Sequence, residues 1–210
     1  MEENHSIATT LRISDRISYF PSVEDPLAAD VGIVEGNEFV WLFDLGPHTH
    51  ALQTLQALNP SKPFCLTLSH FHQDHMAGWD QLPLQELYVG KHTYKYTHSG
   101  TVVESDLYVD DDVKLHFFPL PSTHSKGSLG LEVDDTYAFL GDGIYPMQKN
   151  GQALYNANLL ADQLRVLRSL KAKYFLLSHD DPFVHPREAV LAELEAVYAK
   201  RQSQSMYIEA

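Results

Sequence analysis

Residues 70–75 read His-Phe-His-Gln-Asp-His, four potential metal-binding groups in six positions. In extended chain, side chains two apart share a face, so His70 and His72 can grip one ion together. Asp74 and His75 lie past the turn that must follow and can reach a second ion. Imidazole and carboxylate suit zinc, and also iron or manganese. The chemistry of such a centre is acidification of water and polarisation of a substrate oxygen.

Those residues need elements that deliver them to one place. Five apolar stretches end in a residue able to bind or orient a metal. Residues 39–43 end at Asp44, residues 65–69 at His70, residues 137–141 at Asp142 and residues 174–178 at His179. The stretch through residues 117–120 leads to His124. Buried strands that release polar groups at one sheet edge make a converging site there. His70, His72 and His124 then supply three nitrogens to a first ion. Asp74, His75 and His179 serve a second, and Asp142 can bridge the two. With a hydroxide between the ions, such a centre keeps about one net positive charge.

The remaining pattern is mixed. Residues 11–19 and 31–44 read as strands, the latter a hairpin about Gly36-Asn37. Residues 50–58 carry leucines at helical spacing, stopped by Asn59-Pro60. Residues 63–68, 86–89, 101–104, 113–120 and 174–177 are further strands. Residues 128–133 and 137–140 form a hairpin across Asp134-Asp135. Helices are expected over 154–170, with Leu160, Leu164 and Leu167 on one face, and over 186–200. Strands in runs with helices inserted predict a layered α/β fold. No linker divides the chain, so residues 1–210 read as one domain.

Composition narrows the function. There are 15 basic and 28 acidic residues, a net charge of −13. Phosphate binding needs a basic footprint, which argues against nucleic acid or anionic membrane as a partner. The longest stretch free of charged residues, 45–61, holds two prolines and two histidines and is no membrane span. The acidic opening is not a secretory signal, so the cytoplasm is expected. One cysteine, Cys65, excludes an internal disulfide. It reads as a small buried hydrophobe. The run Asp110-Asp111-Asp112 reads as a solvated turn, since calcium-loop spacing is absent.

The motif from His70 to His75, followed in order by His124, Asp142 and His179, resembles the metallo-β-lactamase fold superfamily. Asp44-Leu45-Gly46 matches its early Asp motif. The resemblance runs from Val31 to His179. It implies an αββα sandwich of two mixed β-sheets flanked by helices, with a one- or two-metal site at one sheet edge. It also implies that Asp44 holds the ligand loop and is not itself a ligand. Departures narrow the branch. The zinc B1 lactamases have Cys where Asp142 stands, and diiron oxygen reductases usually have Glu where His72 stands. Only 31 residues follow His179, too few for the helical domain of glyoxalase II enzymes. Quorum-lactone hydrolases place a Tyr three residues after the bridging Asp, where this chain has Tyr145.

The expected function is metal-dependent hydrolysis of a small molecule. Two divalent ions, zinc first with iron or manganese open, activate a bridging hydroxide against an ester, thioester, lactone or phosphodiester. Asp74 is a candidate to accept or pass a proton, and Tyr145 to donate a hydrogen bond to the substrate oxygen. Two rivals stand beside this. His70 or His72 with His124 and Asp142 could hold a single iron that oxidises a persulfide. A non-catalytic metal-bound binding module is the other. His48 and His50 read as loop and helix start, with a place at the mouth of the site left open. Substrate and oligomeric state are not legible.

Overall fold

The computed structural model describes residues 10–58 and 62–210. The helix stop at Asn59-Pro60, His5 and the chain's first residues lie outside these.

Two large sheets form the body. The first is seven-stranded and runs Leu11–Arg12, Ile17–Phe20, Val31–Glu35, Val40–Phe43, Phe64–Leu68, Leu84–Val89 and Thr101–Val102 in spatial order. The second is six-stranded: Leu107–Asp110, Lys114–Leu120, Ser128–Val133, Tyr137–Gly141, Tyr174–Leu177 and Val184–Pro186. A hairpin, Val23–Glu24 with Leu27–Ala28, and a small sheet of Met147–Lys149, Gln152–Asn156 and Tyr207–Glu209 complete the strands.

Strand alternation explains the layering. Trp41, Phe43 and Cys65 turn inward to meet Phe117, Leu131, Phe139 and Leu176 of the second sheet. Their chain neighbours Val40, Leu42, Leu66 and Leu68 turn outward against Ala51, Leu52 and Leu55 of the helix Thr49–Leu58. On the far side, Phe118, Ala138, Leu140, Phe175 and Leu177 pack beneath two helices, Ala157–Ser169 and Arg187–Ala199. The order is helix, sheet, sheet, helix: the αββα sandwich. Both faces of these strands are covered, so they read as continuous apolar runs.

Strand direction places the site. Val40–Phe43 and Phe64–Leu68 pair parallel, so both end at the same edge. Tyr137–Gly141 and Tyr174–Leu177 also pair parallel. Lys114–Leu120 is two antiparallel steps from Tyr137–Gly141 and therefore points the same way. The C-terminal ends of these strands lead to Asp44, His70, Asp142, His179 and His124.

Several elements differ from the sequence reading. The stretch 11–19 is broken into two short strands by a turn at 13–16, where Ser14 Oγ accepts from Arg16 N and Ile17 N. The helix expected from residue 154 begins at Ala157, because Gln152–Asn156 is recruited as a strand by Tyr207–Glu209. Asn156 then caps the helix, accepting from Asn158 N and Leu159 N. Asp111 is not solvated. It is buried, and its carboxylate accepts from Glu38 N, Phe39 N and Trp41 Nε1. It thereby ties the Gly36-Asn37 turn of the first sheet to the edge of the second.

Two expectations follow. Asp111→Ala leaves three donors without their acceptor and should lower Tm by about 5–10 °C in a thermal melt. His116 lies between Glu132 and Asp106, 3.0 and 2.9 Å away. Burial lowers its pKa, but hydrogen bonds to Glu132 and Asp106 outweigh this and raise it. A raised folded pKa gives stability that is present below the ordinary imidazole range and lost as pH rises through the folded value. In urea titrations, wild type should therefore exceed His116→Asn at about pH 6 and lose that margin by about pH 9.

Candidate metal centre

The seven nominated residues come together in two sets. His70, His72 and His124 form one, and Asp74, His75, Asp142 and His179 the other. Within each set the potential ligand atoms lie within 4.8 Å of one another. Each set draws on both sheets.

The chain around Asp44 orients the histidines. Asp44 is fully buried at the end of its strand, with φ of 60°, a left-handed conformation that bends the chain away from the sheet. Its Oδ1 accepts from Ser69 N at 2.6 Å and its Oδ2 from Ser69 Oγ at 2.7 Å. Ser69 has one hydroxyl proton, and it goes to Asp44. Its oxygen, 2.9 Å from His70 Nδ1, must therefore accept there. That fixes His70 as the Nδ1–H tautomer with its Nε2 lone pair facing the site. His75 Nδ1 reaches Asp44 Oδ2 at 2.7 Å, which turns its Nε2 toward Asp142 Oδ1, 3.2 Å away. Asp44 stands outside both sets.

Close backbone contacts lock the loops. A side chain at Gly46 would meet the Asp74 carbonyl at 1.9 Å, and one at Gly141 would meet Ser69 Oγ at 2.6 Å. Gln163, buried on its helix, donates to both Pro121 O and Gly143 O at 2.6 Å. It thereby joins the loop before His124 to the turn after Asp142.

The electrostatics suit a cation. Burial, then the neighbouring imidazoles, hold His70 well below the usual histidine range. Burial and His124 lower His72 likewise. Neutral imidazoles present lone pairs. His124 Nε2 and His72 Nδ1 face each other at 3.1 Å, a separation an ion between them would satisfy. Asp74 is pulled down to about 2: burial would raise it, but His179 and His75 prevail. Burial disfavours a charged His75, yet Asp44 and Asp142 push it up to about 10. His179 is raised, first by the Asp74 carboxylate 3.2 Å from its Nε2.

Orphaned atoms test the fit of a metal. Among the described residues, His70 Nε2 is buried with no hydrogen-bond partner, and the buried atoms His75 Nε2, Asp142 Oδ1 and His179 Nε2 have no hydrogen bond beyond ion-pair contacts of 3.2 Å to members of their own set. Unpaired buried polar atoms are costly, and among the described residues four of eight such atoms lie on these candidate ligands. The residues fit divalent ions.

Other nominated residues lie elsewhere or act differently. Tyr145 does not present its proton to the site: its hydroxyl donates to the Ser178 carbonyl at 2.7 Å. Donation to a substrate would break that bond. His48 is buried and packs inside, with Nε2 2.9 Å from Pro21 O and Nδ1 accepting from Ala51 N. His50 pairs with Thr54 Oγ1 and Phe20. Cys65 is buried, which with Glu86 raises its thiol to about 12 and keeps it unreactive. Tyr96 stacks on Phe71 at 5.1 Å, so the turn Tyr94–Thr97 flanks the ligand loop.

Two residues escaped sequence reading. Ser69 is a single hydroxyl at the end of an apolar strand, and nothing local marks it. Asp30 is buried, and its Oδ2 accepts from His179 N at 2.9 Å across 149 positions. An acidic residue directly before the apolar strand Val31–Glu35 was its only signal.

This layered fold, with its His/Asp cluster at the ends of the strands, is the metallo-β-lactamase fold. No protein-family model and no curated protein matches the sequence. Solved structures match its fold. The inverting sec-alkylsulfatase Pisa1 from Pseudomonas sp. superposes with a TM-score of 0.71 at 14% identity, over 91% of this chain and 42% of its own. This chain thus spans less than half of that enzyme. A metallo-β-lactamase from Pontibacter korlensis gives 0.69 at 17% identity, over 92% and 99%. A flavo di-iron protein from Thermotoga maritima gives 0.67 at 14%, over 93% and 62%. These likenesses establish the fold.

Asp44→Asn removes the charge that holds the His75 and Ser69 geometry. It should weaken metal retention by about 10- to 100-fold in competition with a chelator. Unchanged retention would mean that Asp44 does not orient the ligands.

Proposed function

We propose that this chain is a metal-dependent hydrolase of a small molecule. It holds two divalent ions, zinc first, and cleaves an ester, thioester, lactone or phosphodiester bond. The placement of Asp142 carries this reading. Its Oδ1 lies 3.2 Å from His75 Nε2 in one set, and its Oδ2 lies 3.4 Å from His124 Nε2 in the other. With one oxygen toward each set, Asp142 could serve two neighbouring ions. The alkylsulfatase and lactamase neighbours support hydrolysis. The di-iron neighbour keeps iron among the candidates.

Bound divalent ions supply an electrophile for the substrate oxygen and lower the pKa of water toward about 7. The chain's own residues do the rest. His70, His72 and His124 offer neutral nitrogens. Asp74, at about 2, stays ionised at neutral pH. An ionised Asp74 can accept a hydrogen bond from the attacking water and so orient it, while at about 2 it is too weak a base to hold a proton at neutral pH. Asp142 and Asp74 offset part of the ions' charge.

Persulfide oxidation at a single iron needs only two histidines and a carboxylate. It would leave Asp74, His75 and His179 of the second set without a task.

The test is elemental analysis of untagged protein, followed by a panel of aryl ester, acyl thioester, lactone and phosphodiester substrates. About two ions per chain and turnover on the panel are expected. Asp142→Ala should lose metal and lower turnover by about 100-fold or more. A single iron per chain, with oxygen uptake on a thiol persulfide and no hydrolysis, would overturn the reading.

A further inference from the structure

One peptide unit at the site is held at both ends. The Ser178 carbonyl accepts from the Tyr145 hydroxyl at 2.7 Å, and the His179 N–H donates to Asp30 Oδ2 at 2.9 Å. These are the two polar groups of the Ser178–His179 peptide. His179 itself has φ of 62°, in the left-handed region. A histidine keeps that conformation only where its surroundings impose it. Both holders are built for the task. Asp30 is 3% exposed, and its other oxygen accepts from Ser22 N at 3.1 Å. Tyr145 belongs to the turn that begins at Asp142, with its N–H on the Asp142 carbonyl at 3.0 Å. The residue before Asp30 reaches a third member of the same set: Ala29 N donates to the Asp74 carbonyl at 2.9 Å. The two holders thus connect His179, Asp142 and Asp74 through backbone, while among the described residues no hydrogen bond links either to His70, His72 or His124.

We propose that Asp30 and Tyr145 are positioning residues for one ion. By gripping both ends of the Ser178–His179 peptide they fix His179 against Asp74 and Asp142. This sets the affinity of that site separately from the three-histidine site. The inference rests on reading these residues as an ion site, and it gives Tyr145 a role other than donor to substrate.

The test uses the full chain stripped of metal by chelator, titrated with zinc against a chromophoric competitor. Wild type, Asp30→Ala, Asp30→Asn and Tyr145→Phe are compared. Asp30→Ala and Tyr145→Phe should each weaken one zinc by about 10- to 100-fold and leave the other within about 2-fold. Asp30→Asn keeps one oxygen acceptor for the His179 N–H but turns its NH2 on Ser22 N–H, and should recover part of the loss. In the double variant the losses should be less than additive, because both act on one peptide. Equal weakening of both zincs, or of neither, would overturn the proposal.

A second measurement needs no metal. The His179 amide should exchange slowly in the metal-free wild type and in Asp30→Asn, and faster in Asp30→Ala and Tyr145→Phe, by NMR. Unchanged exchange in those variants would sink the clamp even if two zincs bind. If wild type binds only one zinc while the amide behaves as expected, the two-ion reading fails and the clamp stands as the holder of His179. Should Asp30→Ala not fold, Tyr145→Phe and Asp30→Asn carry the comparison.

Discussion

A carboxylate sealed from water governs this site. Asp44 is fully buried at the end of a strand, where an isolated charge is costly unless it is paired and hydrogen-bonded. Ser69 N, Ser69 Oγ and His75 Nδ1 answer it within 2.7 Å. Those same bonds settle which nitrogen of His70 and of His75 is left facing the centre. One buried charge therefore secures the corner of the first sheet and orients ligands for both sets. Its strained backbone and the bare Gly141 opposite are the local concessions that let the two sheets close on it.

Around that corner the fold acts by strand direction. Parallel pairing of Val40–Phe43 with Phe64–Leu68, and of Tyr137–Gly141 with Tyr174–Leu177, sends their ends to one edge. Each strand is packed on both faces, so its path is rigid. Polar contacts then tie the loops at that edge: Gln163 between the His124 and Asp142 loops, Leu45 N on the His75 carbonyl, and Asp30 with Tyr145 on the His179 peptide. The ligands thus sit on rigid strand ends with loops pinned by buried hydrogen bonds, which is how a metal site acquires a defined geometry.

Much of this was legible in the chain. His70, His72, Asp74 and His75 stand out because they are dense and follow an apolar strand. Trp41 and Phe117 belong to runs whose composition demands burial. Legibility failed where a partner distant in sequence decided the outcome. Residues 152–156 look helical until Tyr207–Glu209 pairs with them. Asp111 looks solvated within its acidic run, yet the turn it caps lies more than 70 positions earlier. Tyr145 matched a family position by offset alone, and offset does not say where a hydroxyl points.

By itself the sequence determined which side chains are candidate donors, the strands that carry them and the layered class of the fold. Those rest on local chemistry and on periodicity, which are properties of neighbouring residues. The tertiary structure decided the rest: two sets of ligands with Asp142 between them, the tautomers set through Ser69 and Asp44, and the grip of Asp30 and Tyr145 on His179. Each depends on distances between segments far apart in the chain. Such distances are fixed only when the sheets pack and buried polar groups find the partners that burial obliges them to have.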